Sequence, residues 1–219
     1  MFISYARRGL IGSYYFIRYA RQTPSADTRG TSVAQVQSPV ESKAIDSIPR
    51  FRVPLANSPT TARVIREIQL DVVIAIGAGI LRRTLLDIPE VVFINAHAGQ
   101  LPQFGGMNVV EWAVFNDHPV IGTVHRIDRG IDTGEILLER PLELGAPDSI
   151  SQLRESAFSG VWNMVPEAVA GLRDGTIAFR PQPTDVPRRI WYRMHAGFRV
   201  IVEKKLQTSF PEIQRATLL

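Results

Sequence analysis

Apolar runs alternate with amphipathic stretches along the middle of the chain, and this pattern predicts an α/β fold. Residues 71–76 and 91–95 are continuous apolar runs, which are typical of parallel strands covered on both faces. The other predicted strands cover residues 51–55, 120–127 and 135–142. The predicted helices cover residues 59–69, 82–87, 107–116 and 148–173. Strands separated by helices of this length favour a mainly parallel, Rossmann-like sheet.

The two ends of the chain have a different character. In residues 4–22 apolar positions recur at three- and four-residue spacing between four arginines, which predicts a basic helix. Residues 23–47 are polar and lack periodicity, and we interpret them as a linker. We therefore expect a basic helix and polar linker over 1–47, an α/β domain over 48–180 and a basic helical tail over 181–219.

Composition and charge narrow the chemistry. The 219 residues include no cysteine, which excludes a thiol nucleophile, a disulfide framework and cysteine-bound metals.

The sequence pI is near 9.8, but the positive charge is concentrated in segments near the two ends of the chain. Residues 1–22 carry +4 and residues 188–206 carry +5, whereas residues 23–187 carry −5. An acidic middle argues against a nucleic-acid-binding core. The sequence has neither a membrane-spanning apolar stretch nor a signal-peptide cleavage site, so we expect a cytoplasmic protein.

Three polar residues follow predicted strands at positions suited to catalysis. Asn95 ends an apolar strand, His97 lies two residues further on, and Asp132 lies in the loop after strand 120–127. Ligands of open α/β sheets bind at the carboxyl ends of strands. An amide and an imidazole can stabilise an oxyanion, and a carboxylate can position the imidazole or accept a proton, which suits attack by an amine on an acyl carbon. The alternatives are a structural histidine and a turn-forming aspartate.

Four sequence blocks, in this order, resemble the folate-dependent formyltransferases. They are Ile94–Pro102, Phe104–Gly106, Gly122–His125 and Gly130–Leu137. That family includes glycinamide ribonucleotide formyltransferase, methionyl-tRNA formyltransferase and the amino-sugar N-formyltransferases. The resemblance covers roughly residues 48–180.

The resemblance implies a set of site residues and a co-substrate. It makes Asn95, His97 and Asp132 the catalytic residues, with 10-formyltetrahydrofolate as the formyl donor and no metal. The residues that it implies for the folate pocket are Gly77, Gly79, Ile80, Leu81, Asp128, Gly130 and Ile131. It gives supporting roles to His125, Gly105 and Gly106.

Two features depart from the family pattern. Nothing before residue 48 is predicted to form the strand–helix–strand unit with which the family begins. We therefore expect either that the sequence starts inside a longer gene or that part of the sheet is absent. The triplet Ala98-Gly99-Gln100 stands where many members have Pro-Ser-Leu, and it alters the loop beside His97.

The acceptor is open to several interpretations. Methionyl-tRNA formyltransferase carries a further C-terminal domain that grips tRNA, and residues 181–219 are too few to form it, which argues against tRNA. We expect a small primary amine, with a nucleotide-linked amino sugar as the first choice. The alternatives are glycinamide ribonucleotide or, in a different class, an inactive folate-binding relic. A homodimer is compatible with each of these hypotheses.

Overall fold

The computed structural model describes residues 2–4, 16–19 and 50–215. The chain divides into two compact units, Met1–Val91 and Val92–Leu219. The elements of the first unit are β1 (Phe2–Ser4), β2 (Phe16–Tyr19), β3 (Arg50–Val53), α1 (Pro59–Glu67), β4 (Val72–Ile76) and α2 (Arg83–Leu86). Those of the second unit are β5 (Val92–His97), β6 (Gly105–Gly106), α3 (Val109–Phe115), β7 (Ile121–Arg126), β8 (Ile136–Pro141), α4 (Ile150–Trp162), α5 (Val165–Asp174), β9 (Ile190–Trp191), α6 (Ala196–Thr208) and α7 (Phe210–Arg215).

The first unit contains strands where the sequence predicted a helix. β1 pairs antiparallel with β2 and with β4, and β2 pairs parallel with β3. The helix predicted over 4–22 is therefore wrong at Ser4 and at Phe16–Tyr19, and strands do occur before residue 48. Aromatic and β-branched residues favour strands, and a short apolar segment does not distinguish the two periods. The rest of that prediction and the linker predicted over 23–47 lie outside the described residues.

The first helix begins where its sequence signals place it. The Ser58 hydroxyl caps α1 by accepting a hydrogen bond from the Thr61 backbone N–H at 3.1 Å, and Pro59 takes the first turn, where no backbone donor is needed. Ala62 and Ile65 are buried on one face of this helix. The predicted helix over 59–69 is confirmed, although it ends at Glu67.

The second unit is built on the antiparallel strands β5, β7 and β8. β7 lies between the other two, pairing Asn95 with His125 on one side and Val124 with Leu138 on the other. The loop between β7 and β8, residues 127–135, is too short for the crossover that parallel strands require. The α/β class is confirmed, and the strand pairing is mixed, with both parallel and antiparallel pairs.

The long helix predicted over 148–173 is divided in two. Ser149 caps α4, and α4 ends at Trp162 before α5 begins at Val165. Pro166 has no backbone N–H to continue a helix, so it is placed in the first turn of α5. Gly175 ends α5 in the left-handed conformation, with φ of 70°, which glycine adopts without steric cost.

A second, two-stranded sheet was not predicted. β6 and β9 pair in parallel, Gly105 with Ile190 and Gly106 with Trp191. Two-residue strands carry no periodicity, so no sequence pattern indicates them. β9 lies in the segment predicted as a helical tail, in which the helix itself is found only from Ala196 onward. The domain boundaries at 47/48 and 180/181 stay predictions. Within the described ranges, no helix has the length and apolar character to cross a membrane.

Candidate active site

Asn95, His97 and His125 present their side chains on one face of the β5–β7 pair. Asn95 and His97 are two residues apart on β5, and alternate residues of a strand point to the same side. His125 is the cross-strand partner of Asn95. Asn95 Nδ2 accordingly lies 3.4 Å from His125 Nε2, and the rings of His97 and His125 meet edge to face at 6.1 Å.

Asp132 approaches these side chains from the loop between β7 and β8. One carboxylate oxygen lies 3.8 Å from His97 Nδ1 and the other lies 3.6 Å from His125 Nε2. The Asp132 side chain is 15% exposed, whereas the two imidazoles are more deeply buried. The structure thus brings together the three residues predicted to be catalytic, with His125 beside them.

Backbone carbonyls determine where the imidazole protons lie. A carbonyl only accepts, so His97 Nε2 donates to the Phe104 oxygen at 2.6 Å and His125 Nδ1 donates to the Arg126 oxygen at 2.8 Å. Burial, and to a smaller extent the nearby His97, lower the pKa of His125 to about 4, although Asp132 acts in the opposite direction. His125 is therefore neutral near pH 7, and its Nε2 accepts from the Asn95 amide.

Gly106 binds the Asp132 carboxylate through its main chain. Its backbone N–H donates to Asp132 Oδ2 at 2.7 Å. Gly106 has a φ of 97°, and a Cβ there would collide with the Trp191 carbonyl oxygen, so the position requires glycine. The predicted supporting role of Gly106 consequently has a specific form, which is a main-chain donor to the carboxylate.

Sequence reasoning missed Gln182 and Arg188. The Gln182 amide donates to the carbonyls of Asp132 at 2.9 Å and Gly134 at 2.7 Å. Arg188 donates to Gln182 Oε1 at 2.9 Å and approaches the Asp132 carbonyl at 3.4 Å. Gln182 lies 50 positions from Asp132 along the chain, and no motif spacing links the two residues.

The predicted folate-pocket residues of the second unit lie in the Asp132 loop. Asp128 shapes this loop, because its Oδ1 accepts from the Gly130 N–H at 3.0 Å and from the Thr133 hydroxyl. A side chain at Gly130 would strike that hydroxyl. Ile131 is 50% exposed at the loop surface, next to Asp132.

The remaining predicted pocket residues belong to the first unit. Gly77 and Gly79 have φ of 60° and 67°, and no atom lies within 4 Å of the position a Cβ would take at either glycine. Ile80 is exposed and Leu81 is buried. The Asn57 side chain fixes the turn, because it donates to the Ile80 carbonyl and accepts from the backbone N–H of the residue after Leu81. The turn is thus ordered, with its glycines facing open space.

Among the described residues, no group of three or more histidine, aspartate or glutamate side chains could hold a metal ion.

Comparison with known proteins identifies the family to which the chain belongs. The family model described as formyl transferase matches residues 22–169, and the chain belongs to this family. Methionyl-tRNA formyltransferase of Solibacter usitatus is 29% identical over 152 residues, which are 68% of this chain and 49% of that protein. The chain spans about half the length of the curated relatives it matches.

Solved structures of different formyltransferases share the fold. The formyltransferase PseJ from Anoxybacillus kamchatkensis, in complex with UDP-4,6-dideoxy-4-formamido-L-AltNAc and tetrahydrofolate, gives a TM-score of 0.51 at 24% identity, covering 64% of this chain and 73% of that one. Glycinamide ribonucleotide transformylase 1 from Symbiobacterium toebii gives 0.52 at 20% identity, covering 64% and 72%. Because curated relatives are named for methionyl-tRNA, the expectation that tRNA is excluded as an acceptor is not supported.

Proposed function

We propose that this chain transfers a formyl group from 10-formyltetrahydrofolate to a primary amine. The observation that carries the proposal is the convergence of Asn95, His97 and Asp132, with the Asp132 carboxylate between two imidazoles. Family membership supports the same reaction class. This combination favours acyl transfer to nitrogen over a purely structural role for the histidines.

Each unit, taken by itself, has residues that suit a folate donor. 10-Formyltetrahydrofolate would supply the formyl carbon, with a C–N bond to the amine forming, the bond to folate N10 breaking and one proton passing from the amine to N10. In the first unit, the main chain at Gly77 and Gly79 faces open space, which allows close approach of a flat ring. In the second unit, exposed Ile131 and Gly130 lie on the same loop as Asp132.

Each side chain then has a distinct role. One N–H of the Asn95 amide is directed at His125, and the second can donate to the formyl oxygen as negative charge develops there. His97 keeps its Nε2 proton on the Phe104 carbonyl, so its Nδ1 is the nitrogen available to take up a proton beside Asp132. The Asp132 carboxylate stabilises the protonated imidazole until the proton moves on to folate N10.

The acceptor is proposed in ranked order. Our first candidate is a nucleotide-linked amino sugar, followed by glycinamide ribonucleotide and methionyl-tRNA. The names of the relatives divide among these three classes, so each acceptor is tested separately.

The test is formyl transfer measured by mass spectrometry. The protein is incubated with 10-formyltetrahydrofolate and each acceptor in turn, and the product is examined for the mass of one added formyl group. We expect the unmodified protein to formylate one acceptor class, and we expect the Asp132→Asn protein to formylate none. Folate binding without transfer to any acceptor would support the relic hypothesis instead, and an absence of both would overturn the proposal.

A further inference from the structure

Asp132 has a left-handed backbone conformation. Its φ is 51°, in the left-handed region that non-glycine residues rarely adopt, although aspartate tolerates it better than most. In this conformation the carboxylate lies within 4 Å of both His97 and His125. Hydrogen bonds to the main chain of Asp132 from outside the loop stabilise this conformation.

Gln182 provides that restraint on the main-chain side. It is 9% exposed, and its amide N–H groups donate to the carbonyls of Asp132 and Gly134, on both sides of Thr133. Its own oxygen accepts from Arg188. The buried amide thus has a partner at both its nitrogen and its oxygen, an arrangement that fixes its orientation.

The same segment of the chain restrains Asp132 on the carboxylate side. β9 holds the Gly105–Gly106 strand, because the Gly105 N–H donates to the Arg189 carbonyl at 3.1 Å and the Met107 N–H donates to the Trp191 carbonyl at 2.8 Å. That strand in turn supplies the Gly106 N–H to Asp132 Oδ2. Residues 182–191 therefore act on Asp132 from two directions.

We propose that Gln182 and Arg188 are positioning residues of the active site, which fix Asp132 in its left-handed conformation and so place the carboxylate between the two imidazoles. This inference rests on the proposed function for its kinetic consequence, but not for its structural one. It also assigns residues 182–191, outside the predicted α/β domain, to the active site.

Gln214 offers a matched control. It is also a glutamine that bridges two backbone segments, since its Oε1 accepts from the Val120 N–H at 2.7 Å and its Nε2 donates to the Leu142 carbonyl at 3.1 Å. Neither of these two hydrogen bonds involves Asp132, Gln182, Arg188 or Gly106. Gln182→Met and Gln214→Met each remove a bridging amide while keeping a side chain of similar length.

The kinetic test compares these two variants with the unmodified protein. We expect Gln182→Met to lower kcat for formyl transfer about tenfold or more, with KM for the folate changed less than about twofold, because a small misplacement of a catalytic group lowers the rate steeply. Gln214→Met should leave kcat unchanged per folded molecule. Gln182→Glu is a second variant, since Arg188 can still hold its carboxylate but an ionised glutamate has no N–H to donate, and it should show the same fall.

A readout independent of turnover separates this inference from the proposed function. The chain has four histidines, so ring 15N signals of labelled protein can be assigned individually. We expect Gln182→Met and Gln182→Glu to shift the His97 and His125 signals, and Gln214→Met to leave them in place. Shifted signals in a protein that formylates nothing would support the positioning role and count against the proposed function.

The opposite outcomes would overturn the inference. Unchanged histidine signals and unchanged kcat in folded Gln182→Met or Gln182→Glu would show that Asp132 holds its position without this amide. If both Gln182 variants failed to fold while Gln214→Met folded, Gln182 would be a folding residue and the positioning role would be rejected.

Discussion

Asn95 and His125 are cross-strand partners in the β5–β7 ladder, and 3.4 Å separates Asn95 Nδ2 from His125 Nε2. The contact defines the amide orientation, because His125 Nδ1 already donates to the Arg126 carbonyl and leaves Nε2 to accept. A neutral His125 therefore keeps an N–H of Asn95 directed inward. Protonation of His125 would replace that acceptor with a donor and break the arrangement.

The lowered pKa of His125 predicts a pH-dependent stability. Its pKa is about 4 in the folded protein and near 6.5 when unfolded, so the unfolded chain binds more protons between these values. The stability associated with neutral His125 is therefore fully present above about pH 6.5 and lost as the pH falls toward 4. The whole shift corresponds to up to about 3 kcal/mol.

Urea unfolding at several pH values tests this dependence. The free energy of unfolding should fall between pH 6.5 and 4.5, and His125→Gln should flatten the fall. His195→Asn is the control, because His195 is an exposed residue that caps α6 and asparagine is able to cap as well. An equal pH slope in His125→Gln and in the unmodified protein would contradict the assignment.

The sequence predicted most of the local elements, and the placing of Asn95 and His97 on one strand, for physical reasons. The apolar runs of β4 and β5 favour burial, and the Ser58-Pro59 pair starts α1 through a cap that depends only on local geometry. Asn95 and His97 share a face because they are two residues apart on one strand. These features depend on neighbours in the sequence, so the sequence is sufficient to find them.

Other features depend on contacts between distant segments and could not be predicted. The β6–β9 pair joins residues more than 80 positions apart, and Gln182 reaches Asp132 from outside the predicted domain. The helix predicted at Phe16–Tyr19 failed for a related reason, since strand pairing with β1 and β3 decides the conformation of so short a segment. The hydrogen bonds that Asp132 accepts from Gly106 and Gln182 likewise have no signal in its Asp-Thr-Gly sequence.

Replacing His97 or Asp132 should greatly slow formyl transfer without unfolding the protein. We expect His97→Ala and Asp132→Asn each to lower the turnover of formyl transfer at least ~100-fold, in line with the loss of a positioned acid–base group. The measurement is the rate of product formation by mass spectrometry, with His195→Asn as the control. Near-normal transfer by both variants would show that the trio is not catalytic.

Gly99 should not tolerate a side chain. A Cβ at this position would collide with the Phe104 carbonyl oxygen and lie 2.9 Å from His97 Nε2, so alanine would break the hydrogen bond that orients His97. We expect Gly99→Ala to lower the transfer rate about tenfold or more through displacement of the imidazole. The ring 15N signals of His97 report the displacement directly.

Gly160 is the matched glycine for that experiment. It lies inside α4, and the nearest atoms to a Cβ there belong to the Leu142 side chain, at 3.5 Å or more, which is ordinary contact. Gly160→Ala should therefore raise the free energy of unfolding by about 0.5–1 kcal/mol and leave the transfer rate unchanged. If Gly99→Ala behaved as Gly160→Ala does, the steric argument for Gly99 would be wrong.

Arg154 and Glu111 form a pair that should be costly to break. The Glu111 side chain is fully buried, and Oε1 accepts from two nitrogens of Arg154, while Oε2 has no hydrogen-bond partner among the described residues. Arg154→Met would leave a buried carboxylate unpaired, and we expect it to lower the free energy of unfolding by about 3 kcal/mol. Adding Glu111→Gln to that variant removes the buried charge and should recover part of the loss.

Arg140→Met serves as the comparison, because Arg140 and Glu167 form an exposed pair at 2.6 Å whose loss should cost less than about 1 kcal/mol. Equal costs for Arg154→Met and Arg140→Met in urea unfolding would show that the burial of Glu111 does not determine the strength of its pair.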